Sequence, residues 1–223
     1  MRGKLIVIDG LDGSGKQTQT RMLYERLKNE NFKVCTTSFS NYNSKTGELI
    51  MMYLSGEFGG VNSVNAYQGS ISYALDCYLS FIKDEWGKMY LDGYLVICDR
   101  YTTSNLIHQG TKVSDSELLN YIEWLEDLEY QKLKIPTPDD ILFLDIPIEI
   151  SEQLMHNRLN KFSNKQEKDI HESNIDYLRQ CYETSKKICE LRKWQVINCT
   201  QNSELLSKEE INEKIYRKVL ERL

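Results

Sequence analysis

"IVIDGLDGSGKQTQT", residues 6–20, decides the fold. An apolar run breaks into a loop with Gly10, Gly13 and Gly15, followed at once by Lys16 and a stretch that reads as helix. The spacing of Gly10, Gly15 and Lys16 satisfies G-x-x-x-x-G-K-[ST] in all but its last letter. Glycines there let successive backbone N–H groups turn inward around phosphate oxygens. The following helix N-terminus adds its dipole, and the lysine reaches the outer phosphates. Gly10, Leu11, Asp12, Gly13, Ser14, Gly15, Lys16, Gln17 and Thr18 therefore form the candidate triphosphate cradle. Position 17 is Gln, where the pattern has a hydroxyl that ligands magnesium. A glutamine carbonyl can ligand a hard cation, but from a longer arm. Thr18 lies about 100° further around the helix and does not simply replace the hydroxyl. Magnesium is expected to rest more on substrate phosphates and on an acid elsewhere.

Working outward, "KVCTTS" (33–38), "YLVICD" (94–99), "DILFLD" (140–145) and "WQVIN" (194–198) join "KLIVID" (4–9) as strand candidates. Their apolar cores are continuous rather than alternating, which suits parallel strands covered on both faces. Residues 17–30, 63–82, 115–131, 149–159, 173–192 and 207–222 read as helices. On 63–82, Ala66, Ser70, Ala74, Cys77 and Phe81 share one side. Alternating strands and helices predict an α/β fold around a parallel sheet. No repeat or linker interrupts residues 1–223, which read as one domain.

The chain has 223 residues, 27% of them charged and 40% hydrophobic, as in ordinary soluble proteins. A net charge of −5 argues against nucleic acid held by bulk electrostatics. No apolar run approaches the roughly 20 residues of a bilayer span, and no membrane partner is expected. No signal peptide precedes the first strand, and the six cysteines form no C-x-x-C pair. A reducing cytoplasm is the expected setting.

The third strand ends in "CDRYTTSNLIHQG", residues 98–110. An acid at the end of a neighbouring strand serves the metal in enzymes with such a loop, which makes Asp99 the metal candidate. Arg100 beside it is a fixed cation for a phosphate. "GLDGSGKQTQ" together with "DRYTTSNLIHQG" resembles the thymidylate kinase family, whose pattern is roughly G-x-D-G-x-G-K-[ST]-T-Q and D-R-Y-x-x-S-x-x-A-Y-Q-G. "ISYALDCY" (71–78), "FLDIPIEIS" (143–151) and "DIHE" (169–172) extend the likeness over most of the chain.

The resemblance implies a P-loop nucleoside monophosphate kinase fold with a five-stranded parallel sheet flanked by helices. It implies an enzyme that moves the γ-phosphate of ATP onto dTMP with Mg2+, as a homodimer. By position, Asp12 would hold the deoxyribose 3′-hydroxyl, and Arg100 would grip the acceptor phosphate. Ser104, Asn105, His108 and Gln109 would line the acceptor site, with Tyr73 stacking on the base. A lid near residues 155–173 would close over the ATP phosphates. The family places an essential arginine in the loop or in the lid, and with Gly13 in the loop, Arg158 is the candidate.

Four places depart from the family pattern. Gln17 is one, and Cys77 replaces a base-reading arginine one helical turn after Tyr73, where the two are expected to face one pocket. His108 stands where a tyrosine packs beneath the sugar. "SFSNYNSKTG" (38–47) lacks the arginine for the acceptor phosphate, with Tyr42 about there and Lys45 the nearest cation. Two alternatives to dTMP phosphorylation follow: another deoxynucleotide or a deoxynucleoside as acceptor, or a nucleotide-binding paralogue without turnover.

Overall fold

The computed structural model describes residues 2–42, 44–60, 62–156 and 175–223. Five strands, β1 (Lys4–Gly10), β2 (Val34–Ser38), β3 (Leu95–Asp99), β4 (Asp140–Asp145) and β5 (Gln195–Asn198), form one sheet in the order β2-β3-β1-β4-β5. Every pairing in it is parallel. Nine helices among the described residues surround it: α1 (Lys16–Asn29), α2 (Lys45–Leu54), α3 (Ala66–Lys83), α4 (Glu85–Leu91), α5 (Thr102–Gly110), α6 (Leu118–Glu126), α7 (Ile148–His156), α8 (Ile175–Arg192) and α9 (Lys208–Leu220). A two-residue hairpin, β6 (Thr200–Gln201) with β7 (Glu204–Leu205), precedes α9 and was not expected.

The alternation of β1 between two layers explains its unbroken apolar run. Ile6 and Ile8 pack with Leu23 and Leu27 of α1 and with Ile215 and Val219 of α9. Leu5 and Val7 face the other way, onto Phe39, Trp86, Tyr90 and Tyr101. A third cluster packs α5, α6 and α8 over Phe143 of β4. All six cysteines are buried free thiols. Among the described residues, no helix is long and apolar enough to cross a membrane.

The helix expected at 63–82 is α3, started by an Asn65–Gln68 capping box. The one expected at 115–131 divides into α6 and a π-helical turn, Asp127–Lys132. Leu133 N–H there reaches the carbonyl of Leu128, five residues back, a widening that apolar periodicity does not report. The short helices α2, α4 and α5 were not read from the sequence. Ser44 caps α2 by accepting from Gly47 N–H at 2.8 Å. The parallel order brings the C-terminal ends of β1 and β3 side by side, with Ile8 opposite Asp99. Open α/β sheets bind their ligands at such strand ends.

Candidate active site

The loop between β1 and α1 is shaped by its glycines. Gly10, Gly13 and Gly15 all have positive φ, which other residues adopt only at a cost. A Cβ on Gly10 would lie 2.9 Å from the Leu144 carbonyl oxygen, and one on Gly13 would lie 2.6 Å from that of Ser151. The latter contact explains a missing side chain. α7 lies across position 13, and an arginine there would collide with its backbone. Ser151 Oγ also donates to the Asp12 carbonyl, pinning α7 to the loop.

Lys16 is buried, and its ammonium donates to the carbonyls of Gly10 (2.8 Å) and Leu11 (2.7 Å) and to Ser14 Oγ (3.3 Å). Burial first, and the charge of Arg100 second, pull its pKa down to about 8. Two cations that raise each other's cost in a buried place make a setting suited to polyanionic phosphate. Gln17 and Gly15 are exposed, and Thr18 is half-buried.

Arg100 joins the two halves of the site. Its backbone has φ of 62°, a left-handed conformation unusual outside glycine, immediately after β3. Its Nη2 donates to Asp12 Oδ1, and its Nη1 to Ser104 Oγ at 3.3 Å. Burial opposes the guanidinium charge, but Asp12, Asp9 and Asp99 together hold its pKa above the ordinary value. Ser104 donates in turn to both carboxylate oxygens of Asp9 at 2.9 Å. Asp9 is fully buried and also accepts from Thr103 Oγ1 and from Gly10 N–H (2.8 Å). Asp9 is the hub that ties β1 to α5.

Asp99, half-buried at the end of β3, makes no side-chain hydrogen bond or ion pair among the described residues. Its carboxylate, unlike that of Asp9, is therefore available to a hard cation. A carboxylate oxygen completed by phosphate oxygens is the kind of donor set that magnesium takes. No group of three or more His, Cys, Asp or Glu suited to a metal occurs among the described residues.

The acceptor-side candidates divide. Tyr73 lies half-buried with Tyr53, its ring 6.5 Å away and edge-on, beside a cavity of about 90 Å³ that Gly69 and Val64 also line. Cys77 does not join it. The expectation that Tyr73 and Cys77 face one pocket is corrected, because Cys77 packs into the core with Phe39, Trp86 and Tyr101. Neighbours separated by four residues diverge here because α3 bridges two layers, the sheet on one side and α2 on the other. Burial pushes the Cys77 thiol well above its ordinary pKa, so it stays neutral.

Asn105 and Gln109, one turn apart on α5, are buried. His108 Nδ1 lies 3.4 Å from Tyr177 Oη and 3.7 Å from Cys181 Sγ. Burial brings the imidazole down to about 4, with Asp12 opposing, so it is neutral near pH 7. Lys112 reaches back from beyond α5 to Tyr53 Oη (2.8 Å) and the Val64 carbonyl (2.9 Å).

The loop before α2 owes its shape to Asp76, which sequence reasoning missed. Asp76 is buried and accepts from Asn41 N–H (3.0 Å), Ser44 Oγ (3.0 Å) and Thr46 Oγ1 (2.7 Å). An acid inside the apolar "YALDCYL" was the available signal, since a buried carboxylate needs donors. Lys45 is exposed at the start of α2. Arg158 and most of the lid expected at 155–173 lie outside the described residues.

A five-stranded parallel sheet with a phosphate loop after β1 and an acid–arginine pair after β3 is the P-loop nucleoside monophosphate kinase fold. The structure superposes on that of thymidylate kinase from Candida albicans with a TM-score of 0.71, covering 99% of this chain and 92% of that one at 20% identity. The thymidylate kinase family matches residues 8–211, and the chain belongs to it. Its relatives include a putative thymidylate kinase of Invertebrate iridescent virus 6, 29% identical over 93% of this chain and 86% of that one. The thymidylate kinase of Caldicellulosiruptor saccharolyticus is also 29% identical, over 100% of this chain and 98% of its own length.

Proposed function

We propose that this chain transfers the γ-phosphoryl group of ATP to dTMP, giving ADP and dTDP. The observation that carries the reading is the bond from Arg100 to Asp12, which sets an acceptor-phosphate cation against the donor loop that holds Lys16. An oxygen of the acceptor phosphate attacks the γ-phosphorus, and the bond from that phosphorus to the β-bridging oxygen breaks. No covalent enzyme intermediate is required. Catalysis is positioning and charge stabilisation, with Lys16 on the β- and γ-phosphates and Arg100 on the acceptor phosphate. Asp12, oriented by Arg100, meets the 3′-hydroxyl, and Tyr73 stacks on the base. Asp99, with the substrate phosphates, would hold magnesium, which when bound spreads the phosphate charge. Arg158 is the proposed lid cation, a role consistent with the space that α7 denies to a side chain at position 13.

The protein is proposed to act as one domain and as a homodimer in a reducing cytoplasm. Ile71 and Leu75 on α3 and Leu119 on α6 are exposed, and pairing would bury them. Sedimentation at micromolar concentration tests this, and a monomer would refute it.

ADP release with Mg-ATP across dTMP, dUMP, dCMP, dGMP, UMP and thymidine tests the reaction. The expected result is clear preference for dTMP. Intact nucleotide binding with silence across the panel would overturn the reading in favour of a non-catalytic paralogue. Cys77 in place of a base-reading arginine favours a second reading in which another deoxynucleotide is the better acceptor. Preference for thymidine would instead mark a nucleoside kinase.

A further inference from the structure

Residues 55–65, which join α2 to α3, hold Gly56, Gly59 and Gly60, with Gly56 and Gly59 at positive φ. Their hydrogen bonds are local: Gly56 N–H reaches the carbonyl of Tyr53, Gly59 N–H that of Gly56, and Ser63 N–H that of Gly60. Such bonds shape a segment without fixing where it sits against the rest of the molecule. Among the described residues, one hydrogen bond reaches this segment from outside it and its two flanking helices, and it comes from Lys112. The Lys112 ammonium donates to the Val64 carbonyl at 2.9 Å and to Tyr53 Oη, near the end of α2, at 2.8 Å.

Both anchors belong to the wall of the proposed acceptor side. Tyr53 is buried and packs edge-on against Tyr73, and with Val64 the two rings line the cavity of about 90 Å³. Lys112 lies just past the end of α5, so a single side chain ties that end to the end of α2 and the start of α3. Lysines ordinarily leave their ammonium in water. Here burial draws the pKa down to about 8, and the partners among the described residues are a phenol oxygen and a backbone carbonyl. At pH 7 the group is still largely charged, and charged donors make the stronger hydrogen bonds.

We propose that Lys112 is a positioning residue for the monophosphate: by fastening the end of α2 and the start of α3 to the end of α5, it fixes Tyr53 behind Tyr73 and so sets the ring that meets the base. This rests on the monophosphate kinase reading above, in which Tyr73 stacks on the base. Lys112 does not itself touch the acceptor in this scheme; it acts through Tyr53 and Val64. Without the tie, residues 55–65 keep their local bonds but lose their place against α5. The missing order must then be supplied when the monophosphate binds, which weakens that binding. The donor loop is built from other contacts, to Leu144, Ser151 and Arg100, and is spared.

The test measures kcat, KM for dTMP and for ATP, and the calorimetric Kd for dTMP without ATP, in the wild type, Lys112→Met, Lys112→Arg and Tyr53→Phe. Lys112→Met should raise KM and Kd for dTMP about tenfold and leave kcat and KM for ATP within about twofold. Lys112→Arg, which keeps a cation with several donors, should restore most of the loss. Tyr53→Phe deletes one of the two acceptors and should raise the dTMP values about threefold. Added to Lys112→Met it should change nothing further, since the bond is already gone. A general structural role would lower kcat and raise both KM values together, and that pattern would overturn the proposal. Unchanged dTMP values in Lys112→Met, or additive effects in the double variant, would overturn it too. Should Lys112→Met not fold, Tyr53→Phe alone carries the test, and an unchanged Kd for dTMP there overturns the proposal. A wild type that neither binds nor phosphorylates dTMP would overturn the kinase reading together with this one, whereas a working dTMP kinase unmoved by Lys112→Met would overturn this one alone.

Discussion

The proposed donor loop, residues 10–18, is shaped by backbone, whereas the proposed acceptor wall, spread over the segment before α2 and over α3 and α5, is shaped by side chains. Gly10 and Gly13 are held against Leu144 and Ser151 so closely that no other residue fits without movement. The acceptor wall depends on long-range pairs: Asp76 with Asn41, Ser44 and Thr46, Asn105 with Glu129, and Lys112 with Tyr53. A backbone cradle recognises any triphosphate and leaves little room for variation. A side-chain wall can be retuned one residue at a time, and the departures at Tyr42 and His108 fall there, whereas Cys77 lies in the core.

The sharpest way to break the comparison is at its shared centre. Lys16→Met should reduce kcat by about 10²–10³, the usual loss when a preorganised donor to transition-state charge is removed. The fold should remain, since the lysine's acceptors are loop carbonyls and a hydroxyl that solvent can serve. Steady-state kinetics with a thermal melt will separate the two effects, and a loss below tenfold would move the weight of catalysis to Arg100 and the lid.

Asp76→Ala comes next. It removes a buried acceptor of three hydrogen bonds and leaves their donors unpaired, at about 1–3 kcal/mol for a buried unsatisfied group, and should lower stability by at least that much. It should also raise KM for the monophosphate more than KM for ATP. Equal changes in both would deny that this carboxylate serves the acceptor side. Gly13→Ala acts on the donor side, where a positive φ costs a side chain about 1–2 kcal/mol before the contact with Ser151 is counted. Urea midpoints and ATP affinity will both report it, and an unaffected ATP affinity would show that α7 does not govern the loop.

Two pH effects are smaller. With its pKa lowered to about 8, Lys16 in the free protein is partly neutral in mildly alkaline buffer. Bound triphosphate favours its charged form, so ATP binding should take up protons at about pH 8.5 and hardly any at about pH 6.5. Calorimetry in buffers of different ionisation enthalpy measures this uptake. For His108, the folded value of about 4 lies below the ordinary 6.5, so the unfolded chain binds the extra proton between the two. Its contribution to stability is present above 6.5 and is lost as pH falls towards 4. His108→Gln should flatten the fall in urea midpoint across that window, and an unchanged slope would assign acid sensitivity elsewhere.

The sequence by itself determined the five strands, the α/β class, the phosphate loop and the Asp99–Arg100 pair. Those features are local: an apolar run covered on both faces, glycines at fixed offsets, an acid at a strand end. Apolar periodicity also placed Ala66, Ser70, Ala74, Cys77 and Phe81 on one side of α3; the first four are buried there and Phe81 is half-buried. Only the tertiary structure decided what that face meets. It put Cys77 against the core and left Tyr73 beside a cavity, made Asp9 a hub, and brought Glu129 to Asn105 across 24 positions of sequence. The π-helical turn that carries Glu129 has no signature in apolar spacing. A buried carboxyl gains its meaning from donors elsewhere in the chain, and a one-dimensional pattern cannot name partners that only packing brings within hydrogen-bond reach.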